Sequence, residues 1–478
     1  MSRAIWWIRR DMRLADNPAL MAAIEHGAVI PLYIHAPGEE GAAAPGAAAR
    51  WWLHHSLAAL DGELRALGSR LVLRKAGTAL DAIKEVIAAT GADGVFWNRQ
   101  YTSAQIQRDQ AVKAELRRAG VPAESFNGSL LFEPWQVLTR EEQPYRVFTP
   151  FWRACQRHGL DQPVQAPPVE LPAPPPGLAS ITLDSLGLLP EITWDQGFAP
   201  CWTPGEAGAW QRQLHFIRHA LAGYKKERDR PGHAGTSRLS PHLHFGEIGP
   251  RQVVRAVLEA CHGDPDEDAM HFLSEVAWRE FAHHVLYHFP NTIDRPMNPR
   301  WEGITWPEPD PRLWQAWTRG RTGIPLVDAG MRELWQTGWM HNRVRMVVAS
   351  LLTKNMLVAW TKGERWFWDT LVDADLANNV FGWQWTAGCG ADAAPWFRIF
   401  NPVLQGERFD ARGEYVRRWV PEIARLPDRW VHRPWEAPAA ELRAAGLRLG
   451  MDYPRPVLDL AASRAQALEA FSILRAGL

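Results

Sequence analysis

Short apolar runs alternate with amphipathic ones over the first quarter of the chain. Ala4–Ile8, Ala28–Ile34, Arg70–Leu73 and Gly94–Trp97 read as strands, with Glu124–Phe126 as a fifth; the most apolar of them fit strands buried on both faces. Between them Ala19–Glu25, opened by Asp16-Asn17-Pro18, and Ala47–Leu67, Leu80–Ala89 and Ser103–Arg118 read as helices. Strand–helix alternation with short turns predicts a parallel sheet covered by helices on both faces. No G-x-G-x-x-G follows the first strand, so the usual dinucleotide-binding fingerprint is absent.

The pattern then changes. Residues 163–180 are proline-rich, and clustered prolines break helices and remove backbone donors. Residues 131–205 are read as an interdomain connection running over the surface. From Trp210 onward a helical period dominates, over Gln211–Leu221, Pro250–Cys261, Ala269–Tyr287, Val327–Thr337, His341–Ala359, Trp366–Leu371 and Leu460–Ala476. Gly, Pro and Asn interrupt it between Phe381 and Tyr415. The expected architecture is α/β plus all-α: a parallel-sheet α/β domain over 1–130, a long connecting segment, and an all-helical domain over 206–478.

Composition narrows the class. A chain of 478 residues with 46% hydrophobic and 22% charged positions suits a soluble globular protein with a large core. Formal net charge is +0, so nucleic-acid binding requires a local basic surface. Cys155, Cys201, Cys261 and Cys389 form no CxxC pair, which argues against zinc or a disulfide framework and fits a reducing cytoplasm. No metal site is expected; His54-His55 and His283-His284 are read as surface or pocket-rim residues. Met1–Arg13 lacks a secretory apolar region, and the best apolar run, Met346–Trp360, is broken by Lys354, so no membrane association is expected. The unusual number is 26 tryptophans against 7 tyrosines. Core packing is the default reading for each; base stacking or electron passage are the alternatives.

Four blocks carry candidate chemistry. Gly235-Thr-Ser-Arg-Leu-Ser240 offers small hydroxyls and free N–H groups ahead of a helix, which suit a diphosphate. Glu275, Trp278 and Arg279 share a helical face at i, i+3 and i+4. Trp339-Met-His-Asn-Arg-Val-Arg-Met346 sets arginines and an amide in an apolar helix, where burial requires partners. Asp373-Ala-Asp-Leu-Ala-Asn-Asn-Val-Phe-Gly-Trp-Gln-Trp385 supplies carboxylates that could serve.

In this order the four blocks resemble the photolyase/cryptochrome family. The likeness runs from Trp6-Trp-Ile-Arg-Arg-Asp-Met-Arg-Leu-Ala-Asp-Asn17 to Met451-Asp-Tyr-Pro454 and is most like the class I cyclobutane pyrimidine dimer photolyases. The resemblance implies FAD held in the helical domain by Tyr224, Thr236, Ser237, Arg238, Leu239, Ser240, Phe272, Arg279, Asn342, Arg345, Asp373, Ala374 and Asp375. Asn379 matches the residue facing flavin N5, where an amide suits the reduced flavin. UV-damaged DNA, the implied partner, would meet Arg228, Glu275, Trp278, Arg279, Asn342, Arg343, Met346, Trp385, Arg398 and Gln405, with Arg408 a further phosphate contact. Met346 stands where six-four photolyases place a histidine, which argues for cyclobutane dimers. Trp383, Trp360 and Trp306 match the family's electron-carrying tryptophans, and Glu275 would stabilise the lesion radical.

The implied reaction is light-driven transfer of an electron from reduced FAD to a flipped-out dimer, with no net redox change. Ala104-Gln105 departs from the Asn-Glu of some folate-binding relatives, leaving methenyltetrahydrofolate, a deazaflavin or no antenna open. The iron–sulfur branch is excluded by the cysteine positions. A signalling cryptochrome and a single-strand-preferring photolyase are the alternatives. The chain ends soon after its last helix, which with Glu275, Met346 and Asn379 favours repair. A monomer is expected.

Overall fold

The computed structural model describes residues 2–304, 306–395 and 398–476. Strands β1 (Arg3–Ile8), β2 (Ala28–His35), β3 (Val72–Lys75), β4 (Gly94–Asn98) and β5 (Ala123–Phe126) form one parallel sheet in the order β3-β2-β1-β4-β5. Helices α1 (Pro18–His26), α2 (Ala47–Ala66), α3 (Ala79–Thr90) and α4 (Ser103–Arg118) connect them. Adjacent residues of β1 serve opposite faces, so Trp6 enters one buried cluster and Trp7 another. That two-sided burial is why the strands read as apolar runs. The Asn17, Thr78 and Thr102 side chains cap α1, α3 and α4 by accepting from Leu20, Asp81 and Gln105 N–H. The third strand lies two residues later than its expected span.

The connecting segment differs from expectation. Phe148–His158 is a helix, and Leu131, Phe132, Phe148, Phe151 and Cys155 bury in a cluster shared with the helical half. The proline-rich stretch is pinned to the sheet domain: Leu171 N–H donates to the Leu67 carbonyl at 2.9 Å, and Leu171 and Leu178 are buried. The segment therefore fills space between the two halves as well as joining them.

Helices Glu206–His219, Pro250–Ala260, Glu267–His288, Pro325–Thr337, Asn342–Ser350, Trp360–Thr370, Leu376–Ala387, Pro402–Phe409 and Leu460–Ala476 build most of the second half. The continuous helix expected over 341–359 ends at Ser350, passes through a π-helical turn at Leu351–Asn355, and stops where Leu357 takes φ +51°. The helix expected at Trp366 begins at Trp360 instead. The break expected from Phe381 starts only after Ala387, and Pro402–Phe409 is helical because Asn401 caps it by accepting from Val403 and Leu404 N–H.

Arg13 staples the halves. Fully buried, it donates to the carbonyls of Ala15, Asp16, Gly128 and Gly246 at 3.0, 2.7, 2.7 and 3.0 Å. Gly246 has φ +67°, and a Cβ there would stand 2.1 Å from the Arg10 carbonyl oxygen, so only glycine permits this approach. Beside it Trp52 Nε1 donates to buried Glu247 at 2.9 Å.

Candidate functional site

Helix Leu376–Ala387 organises the site. Its N-cap, Asp375, accepts from Asn378 N–H at 3.0 Å and from the Asn378 amide at 2.6 Å. Asn379 and Trp383 follow at four-residue steps, so the three side chains lie on successive turns of one face. His244 Nδ1 and His283 Nε2 approach Asp375 at 3.4 and 3.6 Å. Burial works to raise the Asp375 carboxyl, but His283 and His244 outweigh it and hold the carboxyl well below the usual range. Burial drives His244 down to about 4. The Asn379 amide donates to Glu364, to its carbonyl at 3.1 Å and its carboxyl at 2.8 Å. Burial pushes that carboxyl up to about 7.

Helix Asn342–Ser350 brings a second pair. Arg345 donates to Asp373 at 2.8 and 3.1 Å and to the Met340 carbonyl at 2.7 Å. Ala374 is buried between the two aspartates. Opposite, the guanidinium of Arg238 lies between the rings of Trp339 and Trp202, 4.4 and 4.9 Å from their centroids. Arg238 has φ +52°, and its buried Nε has no partner among the described residues. The N–H groups of Thr236, Ser237 and Arg238 have no acceptor among the described residues. Leu239 is buried, and Ser240 Oγ accepts from Trp339 Nε1 at 3.3 Å. Tyr224 packs edge-on to Phe272 at 5.4 Å. Unpaired donors along this loop are what a diphosphate takes up, and the carboxylate and amide groups beyond suit a flat heterocycle, so the residues fit FAD.

On helix Glu267–His288, Glu275 pairs with Arg228, which also lies 2.8 Å from His271. Trp278 is stacked on Phe148, centroids 3.7 Å apart and planes 9° apart. Arg279 sits apart from this group: it donates to the Ser129 carbonyl at 2.9 Å and to Glu280 at 3.2 Å, gripping the chain just ahead of the connecting segment. Asn342 is exposed at the first turn of its helix, while Met346 and Trp385 pack against one shared core cluster. Arg343 donates to Asp229 at 2.6 Å and lies over Phe409. Arg343, Arg398, Gln405 and Arg408 line one cleft of about 320 Å³, Arg343 from helix Asn342–Ser350 and the others from residues 398–409. Trp396 and Phe397, within the sequence block before this cleft, lie outside the described residues.

Trp383 and Trp360 are buried, and Trp360 and Trp306 line a second cleft of about 350 Å³. Gln105 is not open to a ligand: it is buried and donates to Glu40 at 2.8 Å. The histidine pairs are also more enclosed than expected. His54, His283 and His284 are buried, and burial drives His284 down to about 3.

Sequence reasoning missed Phe148, Asp229, His244 and Glu364. Phe148 was obscured by the neighbouring proline-rich stretch. The other three become visible only as tertiary partners, although an acidic residue in an otherwise buried helix position, Glu364, is a usable signal.

Comparison with known proteins converges on one group. Residues 272–473 match the family model described as the FAD binding domain of DNA photolyase, and residues 4–173 the one described as DNA photolyase. A deoxyribodipyrimidine photo-lyase of Agrobacterium fabrum is 48% identical over 475 residues, 98% of each chain. Cryptochrome-2 of Arabidopsis thaliana is 39% identical over 99% of this chain and 79% of its own. The crystal structure of a bacterial class III photolyase from Agrobacterium tumefaciens matches with TM-score 0.96 and 47% identity, covering 99% of this chain and 98% of that one. This corrects the expected likeness to class I: the likeness is to a class III enzyme.

Proposed function

The chain belongs to the DNA photolyase family, and on that premise we propose that it repairs cyclobutane pyrimidine dimers in DNA under light. The observation that carries the reading is helix Leu376–Ala387, which sets Asp375, Asn379 and buried Trp383 on successive turns of one face. Bound FAD, reduced and excited by light, supplies the electron that opens the lesion. The Thr236–Ser240 loop and Arg238 hold its diphosphate, and Arg345, Asp373 and Asp375 hold and polarise its ring region. Asn379, fixed by Glu364, presents an amide rather than a charge. Trp383, Trp360 and Trp306 form the route by which electrons reach the site.

Arg343, Arg398 and Arg408 take the DNA backbone, since the neutral net charge leaves binding to a local cluster. Phe148 backs Trp278, so one indole face remains for a flipped-out lesion. Arg228 keeps the Glu275 carboxylate paired until a substrate is present. Met346 gives the pocket a neutral, apolar wall, which suits a cyclobutane dimer rather than a six-four product.

The test is repair of duplex DNA carrying one thymine cyclobutane dimer, illuminated or dark, with Glu275→Ala as control. Restoration in light alone, strongly reduced in the control, is expected. A flavin-loaded protein that restores nothing in light overturns the reading and favours signalling.

A further inference from the structure

We propose that Lys354 is a positioning residue for DNA binding, fixing the Arg398–Phe400 segment so that Arg398 reaches into the basic cleft. The inference rests on the assignment of that cleft to the DNA backbone.

Lys354 lies in the π-helical turn Leu351–Asn355, and its side chain is fully buried. Burying an ammonium costs several kcal/mol unless it is paired and hydrogen-bonded, and an apolar residue of similar length would fill the space. Its Nζ donates to the carbonyl of Arg398 at 3.0 Å. One turn earlier Ser350, also fully buried, accepts from Phe400 N–H at 3.1 Å. Two side chains four residues apart thus grip the backbone on either side of Ile399. The same turn is fixed from behind, where Asn355 donates to Ser463 on the last helix at 2.9 Å. The grip therefore ties the segment to a rigid helix pair.

The gripped segment is functional in placement. Arg398 is exposed, lies over the Phe400 ring at 5.6 Å, and shares the cleft with Arg343 and Arg408. An exposed arginine on an irregular segment loses side-chain and backbone entropy when it binds a phosphate, and a pre-fixed backbone lowers that cost. Burial, then the nearby Arg398 charge, brings the Lys354 side chain down to about 7; amine and ammonium alike can donate to the Arg398 carbonyl, so the contact does not depend on the charge. Lys354 makes this contact from within the π turn, and such turns often lie beside functional sites.

The experiment measures binding of the flavin-loaded protein to a duplex oligonucleotide carrying one thymine cyclobutane dimer, across a salt series. Wild type, Lys354→Met, Arg398→Ala and the double variant are compared. Lys354→Met is expected to weaken binding roughly tenfold and to lower the salt slope by about 0.9, as for one lost phosphate contact. Flavin content and light-driven flavin reduction should be unchanged, and the double variant should bind no more weakly than Arg398→Ala alone. Wild-type affinity and slope in Lys354→Met, with both reduced in Arg398→Ala, would overturn the positioning role. Unchanged binding in Arg398→Ala itself would instead overturn the assignment of the cleft to DNA, and the proposal with it. Should Lys354→Met fail to fold, Ser350→Ala removes the second anchor without disturbing a buried charge. A smaller loss of affinity and slope is expected there, and no loss overturns the proposal.

Discussion

Two enclosed arginines, Arg13 fully buried and Arg238 half-buried, are treated in opposite ways. Arg13 follows the first strand and spends four donor contacts on backbone carbonyls from both halves. Arg238, in the helical half, makes no such bonds among the described residues: it sits between two indoles, in a left-handed backbone conformation, with its Nε unpaired there. A left-handed residue with a side chain costs about 1 kcal/mol, and an unpaired buried donor costs more. The difference separates architecture from binding. Where a buried charge is saturated by the protein it holds the fold; where it is left with open donors it awaits a ligand.

The largest effect expected from breaking this comparison is on Arg13. Arg13→Ala strands several buried carbonyls and should cost about 3–5 kcal/mol, read as a lowered urea midpoint or loss of soluble protein. A near-wild-type midpoint would show that the staple is dispensable. Gly363→Ala comes next. A Cβ there would stand 2.1 Å from the Trp383 ring, so overpacking should cost about 1–3 kcal/mol in the same denaturation assay. Phe148→Ala removes the ring stacked on Trp278 and should weaken lesion-DNA binding several-fold, by about 0.5–1.5 kcal/mol, in a binding titration.

The smallest effect is a pH slope. The Glu364 carboxyl, raised by burial to about 7, keeps its proton in the folded state after the unfolded chain has lost it. Folding stability should therefore fall as pH rises from the ordinary carboxylate range to about 7, and level off above. Glu364→Gln should remove that part of the slope, and denaturation at several pH values in both proteins measures it. An identical slope in the variant would show that Glu364 is charged in the native state.

How far the sequence revealed this division depends on where the partners lie. The sheet was legible because both faces are covered, Ile5 and Trp7 entering one cluster and Ala4 and Trp6 the other, which leaves unbroken apolar runs. The spacing of Asp375, Asn379 and Trp383 was equally legible, since a helix alone sets it. The π turn at Leu351–Asn355 was not, because an apolar stretch shows the same period on either side of one inserted residue. Nor were the Arg343–Asp229 and Asn379–Glu364 pairs: their residues stand 114 and 15 apart, and only tertiary packing joins them. Arg279 shows the converse. Its spacing from Glu275 suggested a shared task, yet the Ser129 carbonyl, just ahead of the connecting segment, claims it.

The most direct test of the contrast is FAD binding by flavin-free Arg238→Met, titrated beside wild type with melting curves of both. An affinity at least about tenfold weaker and an unchanged melting temperature are expected, because the lost donors serve the ligand and not the fold. Wild-type affinity together with a lowered melting temperature would make Arg238 a second structural arginine and contradict the division.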